Sequence, residues 1–122
     1  MRVAGFGFRA AAGVDSLVDA LDRAGGAAGL TALAAPADKA HAPCLTQLAA
    51  RLALPVHGIG PDALSAPQTQ TRSPRVLAMR ATGSVAEAAA LAAAGPTACL
   101  IGPRAISNDR MATCAIASGD AT

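Results

Sequence analysis

Lys39 is the only lysine in the chain, beside nine arginines, and Glu87 is the only glutamate, beside seven aspartates. Near the N-terminus, Gly5-Phe6-Gly7-Phe8-Arg9-Ala10 matches G-x-G-x-x-A, a permitted form of the dinucleotide-binding fingerprint. In that fingerprint a helix follows almost at once and holds a pyrophosphate at its N-terminus. Here Gly13 and a cap at Asp15 or Ser16 delay the helix. The second strand ends in Ala34-Ala35-Pro36, with no acid placed to hold a ribose. The two glycines are read instead as points where the backbone passes close to something bulky at the carboxyl edge of a sheet. Open α/β sheets bind ligands at that edge. Arg9 follows directly, and its guanidinium fork suits carboxylates. Ser84-x-x-Glu87 has capping-box spacing, in which each side chain satisfies a backbone N–H of the other's turn. An exposed helix start at Ser84 would also hold an anion through its free N–H groups and dipole.

Other chemistries lack their residues. Cys44, Cys99 and Cys114 form an odd set without C-x-x-C spacing, so they read as small buried apolar residues. His41-x-x-Cys44 is the one close pair of metal-ligand type, and zinc needs three or four ligands. No G-x-S-x-G elbow surrounds any serine, and there is no P-loop and no H-E-x-x-H. No metal and no cofactor is expected.

Composition narrows the partners. The chain has 122 residues, two Phe, no Tyr and no Trp, so base-stacking nucleic-acid readers are disfavoured. A net charge of +2, with scattered basic residues, does not support counterion-driven nucleic-acid binding. No apolar run is long enough to span a membrane, and the N-terminus reads as a strand rather than a signal peptide. The expectation is one cytoplasmic domain over residues 1–122, with neither nucleic acid nor membrane as partner. Of the residues, 34 are Ala, so the core must be built from aliphatic side chains and closely packed helices.

The elements that must position these groups follow from period and punctuation. Met1–Phe8 reads as a buried strand running into a glycine turn. A helix built on Leu17, Val18 and Leu21 follows, closed by Gly25-Gly26. Leu30–Ala35 is a second strand. Pro43 opens a helix with Leu45, Leu48, Ala49 and Leu52 on one side, and Val56–Ile59 is a third strand. Gly60-Pro61-Asp62 turns the chain and Ser65–Arg72 is a polar loop. Ser73-Pro74 starts either two helical turns, ended by Gly83, or a strand. Ser84 caps a helix over Val85–Ala94, ended by Gly95-Pro96. Ala98–Ile101 and Met111–Ala117 are the last strands, with Gly102–Arg110 a loop between them. Strand–helix alternation predicts a three-layer α/β/α sandwich with a mixed, mostly parallel sheet of about five strands. The last two strands are expected to pair antiparallel.

Four segments, in order, resemble the family of cobalamin (vitamin B12) biosynthesis proteins formed by CobE and the C-terminal domain of CbiG. They are Val3-Ala4-Gly5-Phe6-Gly7-Phe8-Arg9; Ala35-Pro36-Ala37-Asp38-Lys39, with Leu48-Ala49-Ala50-Arg51-Leu52-Ala53-Leu54-Pro55 behind it; Gly83-Ser84-Val85-Ala86-Glu87-Ala88-Ala89-Ala90-Leu91; and Ala112-Thr113-Cys114-Ala115-Ile116-Ala117. The chain departs from the family pattern at His41, where an acid is common, and in Arg104–Arg110, often rich in lysine and glycine.

The resemblance implies an α/β/α sandwich and a role in corrin ring construction. It looks like the stand-alone CobE form, which would bind or carry a precorrin or hydrogenobyrinic-type intermediate. Other enzymes of the cobalamin pathway are the implied protein partners. The alternative is an enzyme or enzyme component of CbiG type, a hydrolase opening a precorrin lactone, with Glu87 as general base. Precorrins are flat macrocycles fringed by carboxylates, so a site for them needs cationic and hydroxyl donors beside an apolar floor. Arg9, Lys39, the helix start at Ser84 and Thr113 are the donors, with Gly5 and Gly7 giving close backbone approach and Glu87 alongside.

Overall fold

Alternate residues from Val3 to Phe8 bury on opposite faces of one strand, β1 (Arg2–Phe8), which becomes the centre of the sheet. The computed structural model describes residues 2–60, 82–95, 98–101 and 104–119. The chain continues through α1 (Val14–Ala24), β2 (Ala32–Pro36), α2 (Pro43–Leu52), β3 (Val56–Ile59), α3 (Thr82–Ala94), β4 (Cys99–Leu100), β5 (Ala105–Ile106) and β6 (Ala112–Ser118). The expected turn at Gly60-Pro61-Asp62, the polar loop over Ser65–Arg72 and the element beginning at Ser73-Pro74 lie outside the described residues, wholly or in all but their first or last residue.

The strand order is β3-β2-β1-β6-β4, with β5 also paired to β6. β1 pairs parallel with β2 through Val3↔Ala32, Ala4↔Leu33 and Gly5↔Ala34, and β2 pairs parallel with β3. β6 returns antiparallel along the whole of β1, from Arg2↔Ser118 to Phe8↔Ala112. It carries β4 and β5 antiparallel on its other side. The sheet is mixed, as expected, but only its β1–β2–β3 half is parallel. The reason is that a short connection without a helix, such as the one from β5 to β6, cannot make a parallel crossover.

α1 and α2 cover one face. Leu17, Ala20 and Leu21 of α1 and Cys44, Leu45 and Leu48 of α2 pack on Ala4, Phe6, Phe8, Leu33, Cys114 and Ile116. α3 covers the other face, where Ala89, Ala90, Leu91 and Ala94 meet Val3, Ala32, Ala34, Ile59 and Ala117. The three-layer sandwich is therefore present.

Several local expectations need correction. α1 begins at Val14 with Gly13 as an extended N-cap and no side-chain cap bond, so neither Asp15 nor Ser16 is the cap. The Ser16 hydroxyl instead donates to Asp109 at 2.5 Å. α3 begins at Thr82, so Gly83 and Ser84 lie within its first turn rather than before it. Gly5 and Gly7 lie inside β1, within the strand expected over Met1–Phe8. The stretch read as a loop before the last strand contains β5, the sixth strand.

That last stretch is tied down by a polar cluster. The buried Ser107 hydroxyl donates to Asp109 at 2.6 Å and accepts the backbone N–H groups of Met111 and Ala112, each at 3.1 Å. Asp19 on α1 accepts the Asn108 N–H at 2.5 Å and pairs with Arg23. The β5–β6 turn is thus fastened to α1 through Ser16 and Asp19.

Candidate functional site

The direction of α3 decides which side chains can meet. A Cβ built on Gly5 would lie 2.2 Å from the Ala86 carbonyl oxygen and 2.6 Å from the Ala90 nitrogen. A Cβ on Gly119, just beyond the β6 residue that pairs with Arg2, would lie 2.2 Å from the Ala94 carbonyl oxygen. α3 therefore runs antiparallel to β1, and its first turn stands at the carboxyl end of β1. β2 and β3, parallel to β1, deliver their carboxyl ends to the same edge, and the antiparallel β6 begins there.

This edge gathers most of the residues singled out from the sequence. Gly7 and Thr113 are cross-strand partners near it, and the Thr113 hydroxyl donates to the Gly7 carbonyl at 3.2 Å. That proton is used inside the sheet. Arg9 is exposed just past the strand, where its backbone N–H donates to Met111 at 2.9 Å and closes the β1–β6 ladder. Lys39 stands in the turn after β2. Its ammonium donates to the Phe8 carbonyl at 3.1 Å and sits 5.2 Å from the centroid of the Phe8 ring, so the cation is anchored by a hydrogen bond and by the ring face. An ammonium has three N–H donors, so two are left for other acceptors. Ser84 has its backbone in the first turn of α3, at the same edge.

Gly5 lies deeper than the others. The bulky neighbour that its missing side chain admits is the α3 backbone itself.

Glu87, one turn into α3, is 4% exposed. Burial pushes its carboxyl up from the ordinary glutamate value, because removing water penalises the charged form. The nearby charge of Arg104 and the Arg104 backbone N–H partly oppose this. Glu87 is therefore turned toward the β4–β5 connection. A group of this kind can hold or release a proton out of bulk water, which ordinary surface carboxylates do not.

Sequence reasoning did not single out Arg104 or Ile106. Continuing the register of Ala105↔Cys114 sets Arg104 level with Ala115, and Ile106 pairs with Thr113. Ile106, Thr113 and Gly7 then form one row across β5, β6 and β1 on the α3 side of the sheet. Ile106 is 46% exposed, an apolar side chain beside the edge. Nothing in the sequence marks a two-residue strand, because a period needs more length than that. The Ser107–Asp109 cluster had a better signal, since Asn108-Asp109 has turn-forming chemistry.

The metal-type pair does not grow into a site. His41 is exposed, Cys44 is buried, and burial raises the Cys44 thiol against the opposing backbone N–H groups of Leu45 and Cys44 and the charge of Lys39. Cys44, Cys99 and Cys114 are all unpaired. Among the described residues no three His, Cys, Asp or Glu side chains come together. Among them, too, no helix is long and apolar enough to cross a membrane.

Comparison with known proteins adds to this geometry. A family model described as "Cobalamin synthesis G C-terminus" matches residues 2–117. The crystal structure of CobE, a protein from the cobalamin biosynthetic pathway, superposes with a TM-score of 0.74 at 37% identity, over 96% of this chain and 89% of that one. The crystal structure of cobalamin biosynthesis protein chiG from Agrobacterium tumefaciens str. C58 gives a TM-score of 0.73 at 30% identity, over 98% of this chain and 99% of that one. A search of the curated proteins finds no match.

Proposed function

The chain belongs to the cobalamin synthesis G C-terminus family and is a protein of cobalamin biosynthesis, and on that premise we propose that it binds and hands on a precorrin or hydrogenobyrinic-type intermediate in the cytoplasm. The observation that carries this reading is the pair of cations at the carboxyl edge, exposed Arg9 and ring-anchored Lys39, beside the start of α3. A macrocycle fringed by carboxylates can lay two of them on Arg9 and Lys39 and its flat face near Ile106. Each charge-assisted hydrogen bond contributes about 1.5–3 kcal/mol. Three or four of them reach the roughly 8 kcal/mol that corresponds to about 1 μM binding. Other enzymes of the pathway are the protein partners on this reading, supplying and receiving the intermediate.

Glu87 favours a second reading, a hydrolase that opens a precorrin lactone. A nearly buried carboxyl with raised proton affinity is suited to general-base work. Titrating the purified chain with hydrogenobyrinic acid tests the first reading. The expected result is an absorbance shift and pigment that stays with the protein through gel filtration. No shift and no retained pigment defeats binding. Turnover of a lactone-bearing precorrin by this chain alone would move the assignment to the hydrolase.

A further inference from the structure

Lys39 is the chain's single lysine, and the turn that presents it is restrained along its whole length. Its backbone N–H donates to the Pro36 carbonyl at 2.8 Å, and its own carbonyl accepts the Ala42 N–H at 3.0 Å. Two residues earlier, the Ala37 N–H donates to the Ile59 carbonyl at 2.8 Å, which ties the turn to the end of β3. The buried Ala40 is packed down over the same strand. A Cβ built on Gly58 would lie 3.2 Å from the Ala40 Cβ and 3.4 Å from the Ala37 Cα. The lysine side chain then reaches across to β1, where it meets the Phe8 carbonyl and ring. Phe8 is itself buried in the core that α1 and α2 cover. Both ends of Lys39 are therefore held, its backbone by β3 and its ammonium by β1.

We infer that Phe8 and Gly58 are positioning residues for the ligand site. The Phe8 carbonyl and ring, and the clearance left by Gly58, set the Lys39 ammonium at one fixed point of the carboxyl edge, ready to donate to a ligand carboxylate. Neither residue acts on the ligand except through Lys39. The physical reason is preorganisation. A lysine head sits on a flexible four-carbon stem, and fixing it on a ligand ordinarily costs the freedom of that stem. Lys39 has given up much of that freedom before a ligand arrives, while two of its three N–H donors remain for the ligand. The competing possibility is that Lys39 is a staple between β1 and the turn after β2, with no ligand to hold. The inference deepens the proposed binding function and rests on it for the identity of the natural ligand.

Two measurements test it. The first uses no ligand. A chain made with isotope-labelled lysine gives NMR signals from Lys39 alone, because there is no other lysine. Lying over a ring face should shift its ε-methylene protons upfield of free lysine, and anchoring should restrict their motion. Both features should be lost in Phe8→Leu. Gly58→Val places a strand-compatible residue beneath the turn, at a glycine whose φ is not positive. It should move the same signals without touching β1. Gly58→Val alters no core side chain, so it carries the test if Phe8→Leu does not fold. Free-lysine signals in the wild type, or unmoved signals in either folded variant, overturn the inference.

The second is calorimetric titration with benzene-1,3,5-tricarboxylate and, separately, with hydrogenobyrinic acid. Lys39→Met should bind about tenfold or more weakly. Phe8→Leu and Gly58→Val should each bind about three- to tenfold more weakly, the cost of freezing one long side chain on the ligand. In a Lys39→Met background the same two substitutions should cost nothing further, because there is no ammonium left to position. A loss that persists without Lys39, or wild-type affinity in Lys39→Met, overturns the inference. If hydrogenobyrinic acid binds Lys39→Met as tightly as the wild type, the inference falls and the proposed function stands. If the tricarboxylate behaves as expected and hydrogenobyrinic acid does not bind, the proposed function falls and the inference stands. If neither binds the wild type, both fall.

Discussion

On the side of the sheet that faces α1 and α2, Phe6, Leu17, Leu33, Leu45 and Leu48 fill the space between layers with bulk. On the side that faces α3, the contact is made by Ala89, Ala90 and Ala94 over Val3, Ala32, Ala34 and Ala117, with Gly5 and Gly119 lying directly under helix backbone. One layer is held off the sheet by large side chains. The other is drawn onto it because side chains are missing. The chain's high alanine content is therefore not a dilution of the core. Seven of the 34 alanines lie in α3, whose backbone comes down onto the sheet glycines. The same close approach sets the first turns of α3 down beside Gly7 and Thr113, so the tight side carries Glu87, while Lys39 sits over the ring of Phe8, a residue of the bulky side.

Gly5→Val should break the comparison most severely. Its Cβ has no room beneath the Ala86 carbonyl, and the obstacle is backbone, which cannot rotate away. The expected outcome is loss of cooperative thermal unfolding, or no soluble protein. A variant that melts close to the wild type would mean that α3 is not held by close approach.

Phe6→Ala tests the bulky side. Phe6 is fully buried against α1 and α2, and removing its ring should cost about 3–5 kcal/mol in chemical denaturation. The fold should survive at reduced stability, because a cavity can be tolerated where a clash cannot.

Ser107→Ala sharpens the contrast from the polar side. It removes the hydroxyl that accepts the Ala112 N–H and one of the two acceptors of the Met111 N–H, and should cost about 1–3 kcal/mol. Hydrogen exchange should quicken most at Ala112, less at Met111, whose N–H keeps the Asp109 carboxylate, and stay near wild type along α3. Uniform quickening would deny that the β5–β6 turn belongs with α1.

The acids on the two sides should respond to pH with opposite sign. On the α1 side, hydrogen bonds from Ser107 and Ser16 hold Asp109 below the ordinary aspartate value. The Asn108 N–H, aided by Arg23, does the same for Asp19. A folded-state value below the unfolded one gives stability that is present above the ordinary aspartate range and lost as pH falls through the lowered values. Glu87 on the α3 side is raised by burial, so its ionisation works against the fold as pH rises from the ordinary glutamate value through the raised one. Asp109→Asn should therefore lower the melting temperature at neutral pH, and the deficit should shrink in strong acid. Glu87→Gln, the smallest effect, should leave the melting temperature at or slightly above wild type at neutral pH, with no difference below the glutamate range. A lower melting temperature for Glu87→Gln at neutral pH would show that its carboxylate supports the fold.

Much of the fold was legible from local chemistry. Pro43 with Leu45, Leu48 and Leu52 marked α2, and Val56–Ile59 was found with its bounds intact. The misreadings share one cause. Gly5 was read as a point of close backbone approach, but the sequence could not say to what, because the α3 backbone it admits is far away along the chain. Ser16 looked like a cap and is instead a donor to Asp109, which lies 93 residues away. The site was legible as a set of residue types. Arg9, Lys39, Ser84, Glu87 and Thr113 were all marked, but the sequence could not tell which hydroxyl would be used inside the sheet, nor that Arg104 would stand before Glu87.

By itself, the sequence determined the layers, the family and the short supply of ionisable groups, because periodicity, motif order and residue counts are properties of neighbours along a chain. Only the tertiary structure decided how α3 is set against β1, and with it the environment of every site residue. That placement rests on Gly5 and Gly119 admitting the helix backbone at Ala86 and at Ala94, and such contacts between residues far apart in the chain leave no local mark that period or composition can carry. The proton affinity of Glu87 belongs to the same class of fact. A carboxyl has an ordinary value in any unfolded chain, and only burial beside Arg104 makes it this protein's own.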